Sequence, residues 1–351
     1  MQKMMFGRTR SAAMALLVLL AAGGVQAQNR ATGNLPKYGL YIHFSLPTFH
    51  GYNPRGNDMG FMPPEKFAPT GVDARGWART AKQAGMDFAV LTVKHEDGFC
   101  LWPAKDYDYH LGRSPVKVDI VGEYIAACNA EGIKPGVHYS IPDAYGEGQV
   151  KFKGPLAPAY FETVKKHVTD LHTKYPGIRI QIFDVAGRLT PQQFITLCRI
   201  VKQSNPSCMV FQGGGHDPNH QWTVAVNYGT GTVNKNWFWS RDAQLNPAQQ
   251  LFNRYSQSAS KGDAFVLNVG VDTSGRIPNA YVAVLMEVKA LMGGSNSLAQ
   301  PTTVNQSPLA QGGDNKGDRV ERLKKFKQLF EQGLITKEQY DLKLKEVLDS
   351  N

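Results

Sequence analysis

Glutamate is missing from the whole stretch between Val185 and Ala259, where the only acidic residues are Asp217 and Asp242. Cysteine is scarce, with four residues in 351: Cys100, Cys128, Cys198 and Cys208. Their spacing has no metal signature, and so few thiols in so long a chain do not make a disulfide scaffold. Cys198 and Cys208 are close enough in sequence to be a candidate pair, and buried free thiols fit equally well. No glycine-rich dinucleotide or phosphate loop follows the first predicted strand, which counts against a doubly wound nucleotide-binding sheet. Zinc-finger spacings and stripes of basic residues interleaved with aromatics are absent too, so nothing points to nucleic acid. Neither HxH nor HExxH occurs, and no cofactor is called for.

What is present starts with an N-terminal leader. Lys3, Arg8 and Arg10 precede the apolar run Ala12 to Ala22, and small residues follow up to Ala27. Residues 1–27 therefore read as a secretory signal peptide, too short for a spanning helix, and the mature chain is expected to be periplasmic or secreted with no transmembrane segment. Its removal takes away three positive charges and lowers the formal charge from +10 to +7. That charge is diffuse, with a denser Lys/Arg cluster only near the C-terminus, and it permits weak attraction to acidic glycans.

From residue 28 to 292 short apolar runs alternate with helical spacings. Strands are predicted at Gly39 to Phe44, Phe88 to Val93, Pro135 to Ser140, Arg179 to Asp184, Ser207 to Gln212 and Asp263 to Val269. Helices are predicted at 73–84, 119–130, 159–175, 191–204, 246–260 and 278–292. Between Gly213 and Asp242 the periodicity is poor, and loops with a short strand on either side are expected. This alternation implies an α/β fold, a TIM-like (β/α) barrel of seven to eight strands, irregular in places.

The densest chemistry follows the second strand, in FAVLTVKHEDGFCLW (Phe88 to Trp102). His43, His95, His138 and Asp184 each sit at or just past a strand end, so four successive strands aim ionisable groups at one rim. In a barrel that rim is where active sites form. Glycoside hydrolysis would use Asp184 as nucleophile or base and the histidines as sugar-hydroxyl partners. Metal-assisted hydrolysis would use the same four side chains as ligands.

The barrel region resembles the glycoside hydrolase family of the α-L-fucosidase type. The matching stretches are GLYIHF (Gly39 to Phe44), WARTAKQAGMDFAVLTVKHEDGFCLW (Trp77 to Trp102), GVHYS (Gly136 to Ser140), IFD (Ile182 to Asp184) and FVLNVGVDTSGRIP (Phe265 to Pro278). The resemblance implies a retaining glycosidase acting on terminal α-L-fucosides without a cofactor. It places Asp184 as the catalytic nucleophile, His43 and His95 as sugar-binding histidines, and Tyr139 as a pocket tyrosine. His138 joins them by its strand-end position. Where the family has a second histidine in KHEDGF this chain has Glu96. Where it has a glycine after the nucleophile this chain has Val185, so the turn there is expected to differ. The acid/base is expected from Asp217, flanked by glycines and by His216 and His220, with Glu96 as second candidate. Trp222 and Trp237 are candidates to stack on a sugar face.

Residues 293–317, rich in Gly, Ser, Asn, Gln and Pro, read as a flexible linker. Residues 318–351 read as two short amphipathic helices, a hairpin resembling the short oligomerisation-type modules that end many bacterial proteins, expected to dock on the barrel, self-associate or bind a partner. The expected partner is a glycan or glycoconjugate substrate. A catalytically silent glycan-binding descendant and a metal-dependent hydrolase are the alternatives.

Overall fold

The computed structural model describes residues 35–50, 62–211, 217, 221–224 and 227–295, together with Phe326, Lys327, Phe330, Lys337, Tyr340, Asp341 and Leu344. Seven strands form one parallel sheet: β1 (Tyr38–His43), β2 (Phe88–Lys94), β3 (Lys134–Ser140), β4 (Ile180–Asp184), β5 (Met209–Phe211), β6 (Tyr228–Thr232) and β7 (Ala264–Gly270). Their order is β5-β4-β3-β2-β1-β7-β6. The helices are α1 (Ala74–Gln83), α2 (Ile120–Glu131), α3 (Ala144–Glu147), α4 (Pro158–Lys174), α5 (Pro191–Ser204), α6 (Ala248–Ser260) and α7 (Asn279–Ser295).

Strand residues such as Val90, Leu91 and Ile180 are buried whichever face they occupy, as a parallel sheet covered by crossover helices requires. Helix starts are set by side chains that satisfy free backbone N–H groups. Asp73 accepts from Gly76 N at 2.9 Å, Asp119 accepts from Gly122 N at 3.1 Å, and Thr190 with Gln193 closes a capping box. The turn Asp272 to Gly275 ties the end of the barrel to its start, since Trp77 Nε1 donates to Gly275 O at 3.0 Å.

The alternation of side chains makes two cores. Leu40, Ile42, Ala89, Leu91 and Val137 face the helices. Tyr41, Phe88, Val90, Ile180, Ile182, Phe211, Ala264 and Val266 fill the concave side. There the edge strands approach each other, with the Phe211 and Tyr228 rings 5.9 Å apart and Phe88 6.0 Å from Phe211. The fold is thus an open, curled TIM-like half-barrel. Along the inner row five strands turn polar at their C-terminal ends. Tyr41 gives way to His43, Val90 to Thr92, Gly136 to His138 and Ser140, Ile182 to Asp184, and Val266 to Asn268.

The strands and helices fall close to their expected places. The poorly periodic stretch contributes β6. Helix α7 continues through residue 295, so the first residues of the expected linker are helical. All four cysteines are free and buried, so Cys198 and Cys208 are not a disulfide pair. The expected leader (1–27) and residues 296–317 of the linker lie outside the described residues. In the expected hairpin, Phe330 and Tyr340 are helical and their rings stack 5.1 Å apart. Among the described residues no helix is long and apolar enough to cross a membrane.

Candidate active site

Three imidazoles meet above the apolar floor of the curl. The ring centroids of His43, His95 and His138 lie 5.5, 5.8 and 6.0 Å apart. Tyr41 supports two of them from below, 4.8 Å from His43 and 5.3 Å from His138. Phe238 closes one side, 5.2 Å from His43 and 4.9 Å from His95. Trp237, 36 % exposed, lies 5.2 Å from His43.

Neighbours decide where the protons sit on two of these rings. Asn268 Nδ2 donates to Trp237 O at 2.9 Å, so its Oδ1 is left to accept from His43 Nδ1 at 2.6 Å. The lone pair of His43 is then on Nε2. His138 Nδ1 pairs with Thr92 Oγ1 at 3.2 Å, and its Nε2 is 3.6 Å from Asp184 Oδ2. With the threonine hydroxyl donating, the imidazole proton is on Nε2 and faces the carboxylate. Burial holds the pKa of His43 well below the usual imidazole range, and the charges of His95 and His138 add to this. His95 falls to about 3 for the same leading reason, so both rings are neutral at pH 7. His95 Nδ1 is buried without a hydrogen-bond partner among the described residues.

Asp184 ends β4 with its side chain 38 % exposed. Ser140 Oγ donates to Oδ2 at 3.3 Å. Burial alone would raise its pKa, but His138, His95 and the Val185 N–H hold the carboxyl well below its usual range. Val185 adopts φ 53 and ψ 34. Valine thus takes the left-handed conformation that suits glycine. That conformation is strained for a β-branched residue. Three residues on, Arg188 makes a buried bidentate pair with Glu147 at 2.6 and 2.8 Å.

Glu96 stands in the loop after β2. Its pKa is raised to about 7, first by burial and then by the negative charge of Asp184, with Lys94 opposing. Two carboxyl groups on one rim thus have opposite proton affinities. Asp97 beside it is buried, and only backbone N–H groups of its own loop, those of Asp97 and Phe99, approach its carboxyl. Burial lifts its pKa to about 7.

The loop hangs on a buried cation. One extra residue in β2 shifts its register on β3, pairing Thr92 with His138 but Lys94 with Tyr139. The bulge turns Lys94 onto the helix-facing side. There its ammonium is 3.3 Å from Asp143 Oδ2, donates to Ser140 O and Pro142 O at 2.8 and 3.0 Å, and lies 4.8 Å over the Tyr139 ring. Asp143 also accepts from Tyr107 and Tyr160 hydroxyls at 2.9 and 2.8 Å. Gly98 runs so close to Asp143 that any Cβ would strike its carboxylate.

The structure brings His43, His95, His138, Asp184, Glu96 and Trp237 to one rim and sets three expected residues apart. Tyr139 follows His138 in a strand and must point the other way. It is fully buried on the helix side, with its hydroxyl 2.9 Å from His167 Nδ1, and is not a pocket tyrosine. Asp217 is 2 % exposed. It accepts from the N–H groups of Gln221, Trp222 and Thr223 at 3.2, 2.8 and 2.9 Å and from Thr223 Oγ1 at 3.1 Å. A carboxylate so occupied is a loop tie and is poorly placed to shuttle protons. Trp222 packs on the sheet–helix core under Arg199 of α5, 5.2 Å from its ring, and has no ring contact with the histidines. Among the described residues no group of three or more His, Cys, Asp or Glu side chains could hold a metal ion. Sequence reasoning missed Asn268, Thr92, Ser140 and Lys94. The first three could have been found as polar residues on the inner row of apolar strands. The bulge that redirects Lys94 left no signal.

A curled parallel half-barrel with imidazoles and two unlike carboxyl groups at its C-terminal rim defines a TIM-like β/α protein with a polar site at that rim. The chain belongs to the α-L-fucosidase family, whose sequence profile matches residues 44–295. It is 27 % identical over 316 residues to "Alpha-L-fucosidase 1" of Arabidopsis thaliana, covering 77 % of this chain and 61 % of that one. The chain spans about three fifths of the length of the curated plant relatives it matches. Among solved structures it is similar to α-L-fucosidase AlfC from Lactobacillus casei in complex with α-L-fucose product, with a TM-score of 0.63, 23 % identity and coverage of 78 % of this chain and 99 % of that one. It is likewise similar to α-L-fucosidase isoenzyme 1 from Paenibacillus thiaminolyticus, with a TM-score of 0.62, 24 % identity and coverage of 74 % of both chains.

Proposed function

We propose that this chain is an exported, retaining glycoside hydrolase acting on terminal α-L-fucosides or a closely related L-sugar glycoside. Membership of the family supports the substrate class. The observation that carries the chemistry is the contrast between Asp184, held ionised, and Glu96, which keeps its proton up to about pH 7. Two carboxyl groups whose surroundings push their proton affinities apart suit the roles of nucleophile and acid.

In this reading Asp184 attacks the anomeric carbon while Glu96 passes its proton to the departing oxygen. The glycosyl–Asp184 ester forms as the glycosidic bond breaks. Glu96, now a carboxylate, takes a proton from water, which attacks the same carbon and releases Asp184 with net retention. His43 Nε2 accepts from a sugar hydroxyl. The unpartnered Nδ1 of His95 takes a second polar contact, and Trp237 offers its exposed ring to the sugar face. The acid/base role goes to Glu96 and not to Asp217, whose oxygens are already engaged. Export rests on the leader, residues 1–27, and the C-terminal hairpin is proposed to mediate self-association.

Hydrolysis of 4-nitrophenyl α-L-fucoside is expected to fall by about 10⁴-fold or more in Asp184→Asn. Because that leaving group needs little acid assistance, Glu96→Ala should lose far less on it, and added azide should restore turnover as the α-azide, the product of net retention. Asp217→Ala should show no azide rescue. A panel of aryl glycosides that the wild type leaves uncut would instead favour a glycan-binding protein.

A further inference from the structure

Of the three imidazoles, His138 alone has neither a sugar contact nor a proton to pass in the proposed reaction. It is 2 % exposed, and the rings of Tyr41, His43 and His95 surround it at 5.3, 5.8 and 6.0 Å. Sheet register decides its polar neighbours. Thr92 stands opposite His138 across β2 and β3, and Ser140 stands opposite Asp184 across β3 and β4. His138 and Ser140 are two apart on one strand, so their side chains share a face. Thr92, His138, Ser140 and Asp184 therefore form one polar patch carried by three adjacent strands. Side chains on strands are held more closely than side chains on loops.

Both side-chain contacts on the Asp184 carboxylate fall on one oxygen. Ser140 Oγ donates to Oδ2 at 3.3 Å, and His138 Nε2 is 3.6 Å from the same Oδ2. That Nε2 is buried and has no hydrogen-bond partner among the described residues. A separation of 3.6 Å is longer than a hydrogen bond, and catalytic contacts of this kind shorten when the reacting complex forms. Thr92 Oγ1, at 3.2 Å, occupies Nδ1 and so keeps the imidazole proton on Nε2. Oδ1 receives neither contact and is the oxygen left to attack.

Resting on the retaining-glycosidase reading, we propose that the Thr92–His138 pair is a positioning device for Asp184, which holds Oδ2, selects Oδ1 as the attacking oxygen and speeds release of the covalent intermediate. In the first step Oδ1 bonds to the anomeric carbon as the bond to the leaving oxygen breaks, and that oxygen takes the Glu96 proton. Negative charge leaves Asp184, so the His138 contact weakens. In the second step water attacks the same carbon, its proton passes to Glu96, and the electron pair of the Oδ1–carbon bond returns to Asp184. Charge reappears on the carboxylate, and the His138 N–H is already aimed at it. The imidazole proton stays on Nε2 throughout. His138 therefore assists the second step more than the first.

The test uses 2,4-dinitrophenyl α-L-fucoside, whose leaving group departs so readily that hydrolysis of the intermediate limits kcat, while kcat/KM reports the first step. His138→Phe keeps a flat ring and removes the donor. Its kcat should fall about 10–100-fold, with a burst of dinitrophenolate, and its kcat/KM should fall by a much smaller factor. His138→Gln retains a donor and should recover part of the loss. Thr92→Val is nearly isosteric, should lower kcat in the same selective way, and carries the test if His138→Phe fails to fold. Equal falls in kcat and kcat/KM, or an unchanged kcat, would overturn the positioning role. NMR of the histidine ring nitrogens reads the contact without turnover. A proton on His138 Nε2 whose signal shifts in Asp184→Asn supports the contact even where the wild type cleaves no fucoside and the glycosidase reading fails. A proton on Nδ1 in its place overturns the proposal whatever the turnover.

Discussion

Glu96 keeps its proton until about pH 7, and the protonated form is the one that can serve as acid. Activity on substrates with poor leaving groups should therefore fall as pH rises through 7, while Glu96→Gln should be slower by about 10²–10⁴-fold and lack that limb. An unchanged alkaline limb in Glu96→Gln would remove Glu96 from the role. Asp97 carries a separate consequence for stability. Its pKa moves from 3.8 to about 7 on folding. Between about pH 4 and 7 the folded state binds more protons than the unfolded state, so stability falls as pH rises across that window. Asp97→Asn should flatten this dependence and stabilise the protein at pH 8 by about 1–3 kcal/mol. Urea unfolding at pH 5 and pH 8 measures it, and an unaltered difference between the two would refute it. Val185 adds a third case. Glycine fits φ 53 without steric conflict, so Val185→Gly should raise stability by about 1 kcal/mol despite its greater unfolded-state entropy. A lower unfolding midpoint would show that the valine side chain contributes more than its strain costs.

At the scale of elements, the loops after β2 and β3 act as one unit because Lys94 and Asp143 are joined in the interior. Both side chains are fully buried. Burial alone would raise the Asp143 pKa, but Lys94, Gly146 N–H and two tyrosine hydroxyls lower it. Removing one partner leaves the other charged and unpaired, so Lys94→Met should cost about 3–5 kcal/mol. Lys94→Met combined with Asp143→Leu should be less damaging than the sum of the two single changes, measured by a double-mutant cycle in urea. Additivity would mean that the pair does not hold the loops together. The KHEDGF motif was legible as a strand end, with His95 at the site and Glu96 beside it. What Lys94 does was not legible, because its direction depends on a bulge against β3. The histidines were legible as strand-end residues, whereas the sequence between Gly213 and Asp242 offered no period from which to judge Asp217 or Trp222.

For the whole molecule, the described barrel carries its own two cores and closes its start to its end through Trp77 and Gly275. Ending the chain after Ser295 should therefore leave a cooperatively folding barrel, while deletion from Gly317 onward should lower the oligomeric mass seen by light scattering. Unchanged mass would take self-association away from the hairpin.

The periodicity of apolar residues determined the β/α alternation, and the polar strand ends determined which rim bears His43, His95, His138 and Asp184. Both are local properties, readable because side-chain direction alternates along a strand. Tertiary structure alone decided which carboxyl groups are neutral. Burial and the charge of a neighbour distant in sequence set the proton affinities of Glu96 and Asp184. It also decided that Asp217 is tied into its loop and that Tyr139 faces the helices. Such outcomes depend on contacts between separate elements, which spacing along one chain does not encode.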